Sequence, residues 1–126
     1  MLSIRWQDLS KWEKNIAGRN RRSSPRVKTR GLVKHQREDS VNKHISNLLD
    51  LSEGGLQFFY RKKVKAGSIL KMTLYIDENT KNIPVVAKVA WVKFLHGNYR
   101  IGVTFLEIDF DDQEIIRNFA LKKTIR

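Results

Sequence analysis

The sequence predicts a mainly β domain: a six-stranded antiparallel barrel closed by a C-terminal helix and preceded by an N-terminal amphipathic helix. Three observations carry this reading. From residue 26 onward, apolar and polar residues alternate in short runs, the period of half-buried strands. Glycine-containing turns separate several of the runs at hairpin spacing. After Asp111 the period changes to three and four, that of a helix. A chain of 126 residues, 40% hydrophobic and 30% charged, has the size and composition of one globular domain with one core.

The elements follow in order. Residues 1–18 are the N-terminal helical segment, because Leu2, Trp6, Leu9, Trp12 and Ile16 recur at spacings of three and four and Gly18 suits a left-handed cap. Asn20 to Pro25 reads as a polar linker, since Ser23-Ser24-Pro25 interrupts a helix. Val27 to Val33 is the first strand. In the second, Ile45, Asn47, Leu49 and Leu51 alternate with Ser46, Leu48, Asp50 and Ser52, and Gly54-Gly55 supplies the turn. Leu56 to Tyr60 is the third strand, Leu70 to Ile76 the fourth, Val85 to Phe94 the fifth and Tyr99 to Phe105 the sixth, the last two joined at His96-Gly97-Asn98. Asp111 caps the closing helix with Glu114 three residues on. Ile115, Ile116, Phe119 and Ala120 share one face, and Lys122 and Lys123 favour its C-terminal end.

Lys and Arg number 25 against 13 Asp and Glu, a formal charge of +12, which favours anionic partners. The surplus is uneven: Arg19, Arg21, Arg22, Arg26, Lys28, Arg30, Lys34 and Arg37 are interrupted by no acid, whereas acids gather at Asp77, Glu78 and from Glu107 to Glu114. The anion is expected to meet the N-terminal third. The absence of cysteine removes disulfides, thiolate metal sites and cysteine nucleophiles. No apolar run approaches the ~20 residues of a spanning helix, and Arg5, Gln7 and Asp8 break any secretory h-region, so a cytoplasmic location without membrane insertion is expected.

Two segments carry chemistry. Arg22 and Arg26 flank Pro25 on an extended stretch, so their side chains root up to about 13 Å apart, enough to embrace a dinucleotide. A guanidinium stacks on a purine, forks onto guanine O6 and N7, or clamps a phosphate. The bland alternative is a solvated charge run. In Asp50-Leu51-Ser52-Glu53-Gly54-Gly55, period two puts Asp50 and Ser52 on one sheet face and Leu49 and Leu51 on the other. A carboxylate beside a hydroxyl can accept the N1 and N2 protons of guanine, and Gly55 permits positive φ and close ligand approach. An ordinary hairpin turn explains the same residues.

Together these segments resemble the PilZ domain family of cyclic di-GMP receptors, whose ligand motifs are Arg-x-x-x-Arg and Asp/Asn-x-Ser-x-x-Gly. They stand here as Arg22-Ser23-Ser24-Pro25-Arg26 and Asp50 to Gly55, in the family's order. Val89-Ala90-Trp91-Val92 and Tyr99 to Phe105 are similar to the family's fifth and sixth strands, and the likeness covers residues 20–121. The resemblance implies a split barrel over residues 19–126 with cyclic di-GMP as ligand. It also implies an arginine segment that is mobile when empty and closes over the ligand, carrying the N-terminal segment with it. Arg21 precedes the first motif arginine, a feature that in the family accompanies an intercalated cyclic di-GMP dimer. The implied ligand residues are Arg21, Arg22, Arg26, Asp50, Ser52 and Gly55.

Trp91 is a candidate to stack on a guanine, although a tryptophan in an apolar strand is more often core, and Arg100 is a candidate phosphate contact or a solvated charge. His35, His44 and His96 lack metal-ligand spacing, and Asp111 and Asp112 suit a helix N-terminus better than acid catalysis. With no nucleophile–base pattern and no P-loop, an enzyme is not expected, nor is a cofactor. The expected function is a receptor that signals to a downstream protein partner. The alternative is a basic nucleic-acid-binding protein regulated by the nucleotide, which the charge favours and the lack of a helix-turn-helix pattern or an aromatic RNA-binding sheet disfavours.

Overall fold

A computed structural model describes residues 26–124. The predicted N-terminal helix, the linker, Arg21 and Arg22 lie outside the described residues. The strands are β1 (Val27–Lys28), β2 (Leu32–Arg37), β3 (His44–Ser52), β4 (Gly55–Tyr60), β5 (Ile69–Tyr75), β6 (Ile83–Leu95) and β7 (Asn98–Glu107), followed by helix α1 (Phe110–Thr124). Every pairing is antiparallel. Six strands run in the order β3-β2-β5-β6-β7-β4, and β4 pairs back onto β3 to close the barrel, as predicted, while β1 adds a short seventh strand to β3.

That extra strand is the predicted first strand divided. The Gly31 N–H donates to Thr29 Oγ1 at 3.2 Å, a local turn that interrupts the ladder. Val27 then pairs with Leu51 and Leu32 with Asn47, so both pieces follow the same edge of β3.

The core is filled from alternate positions: Val33 of β2, Leu56 and Phe58 of β4, Leu70, Met72 and Leu74 of β5, Ile83 to Val89 of β6, and Ile101, Val103 and Phe105 of β7. The second strand departs from simple alternation. Leu48 pairs with Phe58 but Asp50 with Gln57, which leaves Leu49 as an extra residue in a β-bulge. Leu48, not Leu49, therefore joins the core, and Ser46 and Leu48 face inward ahead of the bulge while Leu51 faces inward after it. The bulge delivers Asp50 and Ser52 to the outside. A second bulge does the same on β6, where Val89 pairs with Val103 and Trp91 with Gly102, making Ala90 the extra residue. Trp91 is consequently turned out and 39% exposed, which overturns its placement in the core.

At the β6–β7 hairpin, His96 and Gly97 both have positive φ, 51° and 84°, the backbone of a two-residue turn matched to strand twist. Helix α1 begins earlier than expected, because the Asp109 carbonyl already accepts the Gln113 N–H. Asp109, not Asp111, thus holds the cap position, and Asp111 and Asp112 occupy the first turn, where carboxylates suit the helix dipole. Ile116 and Ala120 are fully buried against the barrel, and Ile115 and Phe119 pack beside them. Asp112 is buried, and Lys81 Nζ lies 2.8 Å from its carboxylate; that bond is the main cause of a raised Lys81 pKa. Among the described residues, no helix is long and apolar enough to cross a membrane.

Candidate ligand-binding site

The two bulges create one continuous surface. Lys28, Asp50, Gln57, Gly102 and Trp91 are direct cross-strand partners in succession over β1, β3, β4, β7 and β6. Their inward neighbours are core, so this row faces out. Four interstrand steps of about 4.8 Å make the row roughly 19 Å long. Ser52, Gly55, Thr104 and Lys88 form a parallel row on one side, and Phe59, Arg100 and Lys93 on the other.

Arg26 closes the β3 end of this platform. Its Nη1 donates to Asp50 Oδ1 at 2.6 Å and its Nη2 to Ser52 Oγ at 3.4 Å. Ser52 Oγ in turn donates to the Gly55 carbonyl at 3.3 Å. The structure thus brings together Arg26, Asp50, Ser52 and Gly55, residues from two motifs 24 or more positions apart. Asp50 and Ser52 are nearly buried, while the Arg26 side chain stays 43% exposed. The pair is a clasp with one wet side.

Gly55 has a different reason for being glycine than the one expected. Its φ is not positive, and a Cβ there would stand 2.1 Å from the Val103 carbonyl oxygen of β7, so its first duty is to let β4 and β7 meet. Gly102 is the counterpart at the platform's centre. A Cβ on it would fall 2.3 Å from Trp91 Cε2, because the indole lies over the gap that Gly102 leaves. Trp91 therefore has a fixed ring lying over the platform. Arg100, the other added candidate, is held by Gln57, whose Oε1 accepts its Nε–H at 2.7 Å.

Sequence reasoning missed Gln57, Gly102 and the position of Lys28. Gln57 was within reach: a hairpin turning at Glu53-Gly54 places it opposite Asp50 as the polar member of an otherwise apolar strand. Gly102 and Trp91 depended on the Ala90 bulge.

Beyond Leu48 and Phe58, β3 and β4 part, leaving an outer groove of about 780 Å³ lined by Leu32, Ile45, Asn47, Phe59, His96 and neighbours. It adjoins the platform through Phe59, the partner of Arg100, and its volume suits a small ligand. The helix reaches the same hairpin from the other side: Gln113 Nε2 donates to the Glu53 carbonyl at 3.2 Å, and Arg117 Nε lies 3.7 Å from Glu53 Oε2.

The groups assembled here suit recognition. A carboxylate retains acceptor sites beyond the one Arg26 uses, Gln57 presents an amide, Trp91 a π-face, and Arg26, Lys28, Lys88, Lys93 and Arg100 supply positive charge. Fold and site together define a small β-barrel binding module, with a packed lumen and its recognition groups on the outer wall. The chain belongs to the PilZ domain family, whose sequence profile matches residues 20–122.

Solved structures with the same fold include the Bacillus subtilis inhibitor of motility MotI/DgrA, with TM-score 0.75 and 18% identity over 83% of this chain and 52% of that one. The c-di-GMP complex of MrkH from K. pneumonia gives 0.72 and 20%, over 83% of this chain and 53% of that one. The PilZ domain of YcgR from Escherichia coli with c-di-GMP gives 0.66 and 14%, over 81% of this chain and 90% of that one. This chain thus spans about half the length of the first two. A search of curated proteins gave no match.

Proposed function

We propose that this protein is a cytoplasmic receptor for cyclic di-GMP that changes conformation on binding and passes that change to a protein partner. Membership of the PilZ family supports the ligand, as do the c-di-GMP complexes of MrkH and YcgR. The observation that carries the reading is the Arg26 clasp on Asp50 and Ser52, which joins both ligand motifs at one edge of the platform.

In this reading Asp50 accepts the guanine N1 and N2 protons, Ser52 and the backbone at Gly55 line the guanine's approach, and Arg21, Arg22 and Arg26 take the phosphates and stack on the bases. Trp91 and Arg100 serve the far half of the dinucleotide. A guanine edge arriving at Asp50 competes with Arg26 for the carboxylate, and the ligand's phosphates offer Arg26 another anion. Re-aiming Arg26 re-aims the segment that precedes it, which is the source of the conformational signal.

Titration calorimetry of nucleotide-free protein with cyclic di-GMP, with GTP and cyclic di-AMP as controls, tests the ligand. Saturable heat with cyclic di-GMP alone is expected, and a flat trace at high micromolar ligand overturns the proposal. Hydrogen exchange tests the switch: added protection in residues 1–30 on binding is expected, and protection confined to Asp50 to Gly55 refutes it.

A further inference from the structure

The barrel's two ends differ in charge balance. At the end closed by α1, Asp77, Glu78, Glu107 and the acids of the first helical turn stand with Arg30, Lys81, Lys122 and Lys123. The open end is made by the 38–43 and 61–68 loops, with the β6–β7 turn beside them. There Arg37, Lys43, Arg61, Lys62, Lys63 and Lys65 are all exposed, against only Glu38 and Asp39.

These cations surround a defined recess. A cleft of about 220 Å³ opens between the two loops, with Arg37, Ser40 and Asn42 on one wall and Lys62 and Lys63 on the other. Its polar rim is held in shape by the Asn42 N–H donating to Ser40 Oγ at 3.1 Å and by Gln36 Nε2 donating to the Ser40 carbonyl at 2.6 Å. Arg37 Nε donates to Asp39 Oδ1 at 3.1 Å, and its remaining Nη groups, with two ammonium groups and an amide around a cleft of this size, are complementary to a phosphate ester. Between the two loop residues of that rim sits Val41, 87% exposed, and Phe94 at the same end is 62% exposed. Apolar tips among cations gain nothing from a nucleic-acid backbone, but they match the boundary between headgroups and acyl chains of an anionic bilayer.

We propose that the open end of the barrel is a peripheral docking face for anionic lipid, with a headgroup phosphate seated between Arg37 and Lys62-Lys63 and Val41 dipping below the headgroups. The face lies away from the Arg26 clasp, so docking leaves the platform open, and the inference does not depend on what the platform binds. Residues 1–25 are kept intact in every variant below, so that only the barrel's contribution is varied.

The test is co-sedimentation of the full chain with vesicles of phosphatidylcholine, with and without phosphatidylglycerol. Binding only to the anionic vesicles is expected. Lys62→Glu with Lys63→Glu should lower that affinity by at least about 30-fold, since each basic residue lost near an anionic surface costs about fivefold and the new carboxylates add repulsion. Val41→Asp should lower it by roughly five- to tenfold, a loss that persists when salt has screened the charges. Cyclic di-GMP titration and the thermal midpoint of each variant, read alongside, separate this face from the platform and from unfolding. Equal binding to both vesicle types overturns the proposal, as does anionic binding indifferent to Lys62 and Lys63. Loss of duplex DNA binding in these variants, without vesicle binding in the parent, assigns the face to nucleic acid and overturns it too.

Discussion

Strands β3, β4, β7 and β6 carry two surfaces of opposite character on one backbone. Toward the barrel axis, Leu51, Leu56, Phe58, Ile101, Val103 and Val89 are sealed from water. One residue away in each strand, Asp50, Gln57, Gly102, Arg100 and Lys88 face out, beside the outturned Trp91. The inner residues are related by volume and contribute through burial, so they specify the barrel and nothing about a ligand. The outer residues are related by hydrogen-bonding pattern and charge, and the barrel closes without their chemistry. The division predicts that stability and recognition are separable by parity.

The largest test of that separation is on the inside. Phe58→Ala removes a fully buried ring from β4 and should cost about 3–5 kcal/mol of stability in denaturant unfolding. Its ligand affinity should be unchanged in whatever fraction remains folded, and a weakened folded fraction would break the comparison.

The inner face also carries a polar pair, His35 and Ser46. His35 is buried with Nε2 2.8 Å from Ser46 Oγ, and burial, helped by the neighbouring His44, lowers its pKa to about 4. The unfolded chain takes up that proton near pH 6.5, so between pH 6.5 and 4 the unfolded state binds more protons and stability falls as pH falls. The loss is complete below the folded pKa and reaches up to about 3 kcal/mol. Stability of the parent should decline from pH 6.5 to 5, and His35→Phe should flatten that decline; identical slopes would remove His35 as its cause.

Outside, Arg26→Ala should leave the core intact and weaken cyclic di-GMP binding by about 1.5–3 kcal/mol, the scale of a charge-assisted contact. Asp50→Ala should behave alike in calorimetry, and a collapsed melting transition in either variant would show that the clasp is structural. The smallest expected effect is Ser52→Ala, which removes one uncharged hydrogen bond and should cost about 0.5–1.5 kcal/mol of affinity.

Much of this division is legible in the chain. The alternation of Leu70, Met72 and Leu74, or of Ile101, Val103 and Phe105, states which residues are inside, and the two motifs name Arg26, Asp50, Ser52 and Gly55. The bulges are not legible. Nothing in Leu48-Leu49 or Val89-Ala90 says which residue the partner strand will skip, because that is decided across the sheet by the pairing of Leu48 with Phe58 and of Val89 with Val103. Reading period two straight through β6 sends Trp91 into the core, and through β3 sends Leu49 there. The positive φ expected of Gly55 is absent, and the obstacle to a side chain there is a carbonyl on β7, more than 40 residues downstream.

The route by which the platform is completed has a consequence for synthesis on the ribosome. Its central row needs Gly102 of β7 seated beside Gln57 of β4, and the hairpin carrying Asp50 is tied from behind by Gln113 of the helix, through a bond spanning 60 residues. Pairings this distant in sequence form late and slowly. A nascent chain that has emerged only as far as β6 holds Arg26, Asp50 and Trp91 but has no surface on which they meet. The platform is therefore the last feature this domain assembles, and an incomplete copy lacks it.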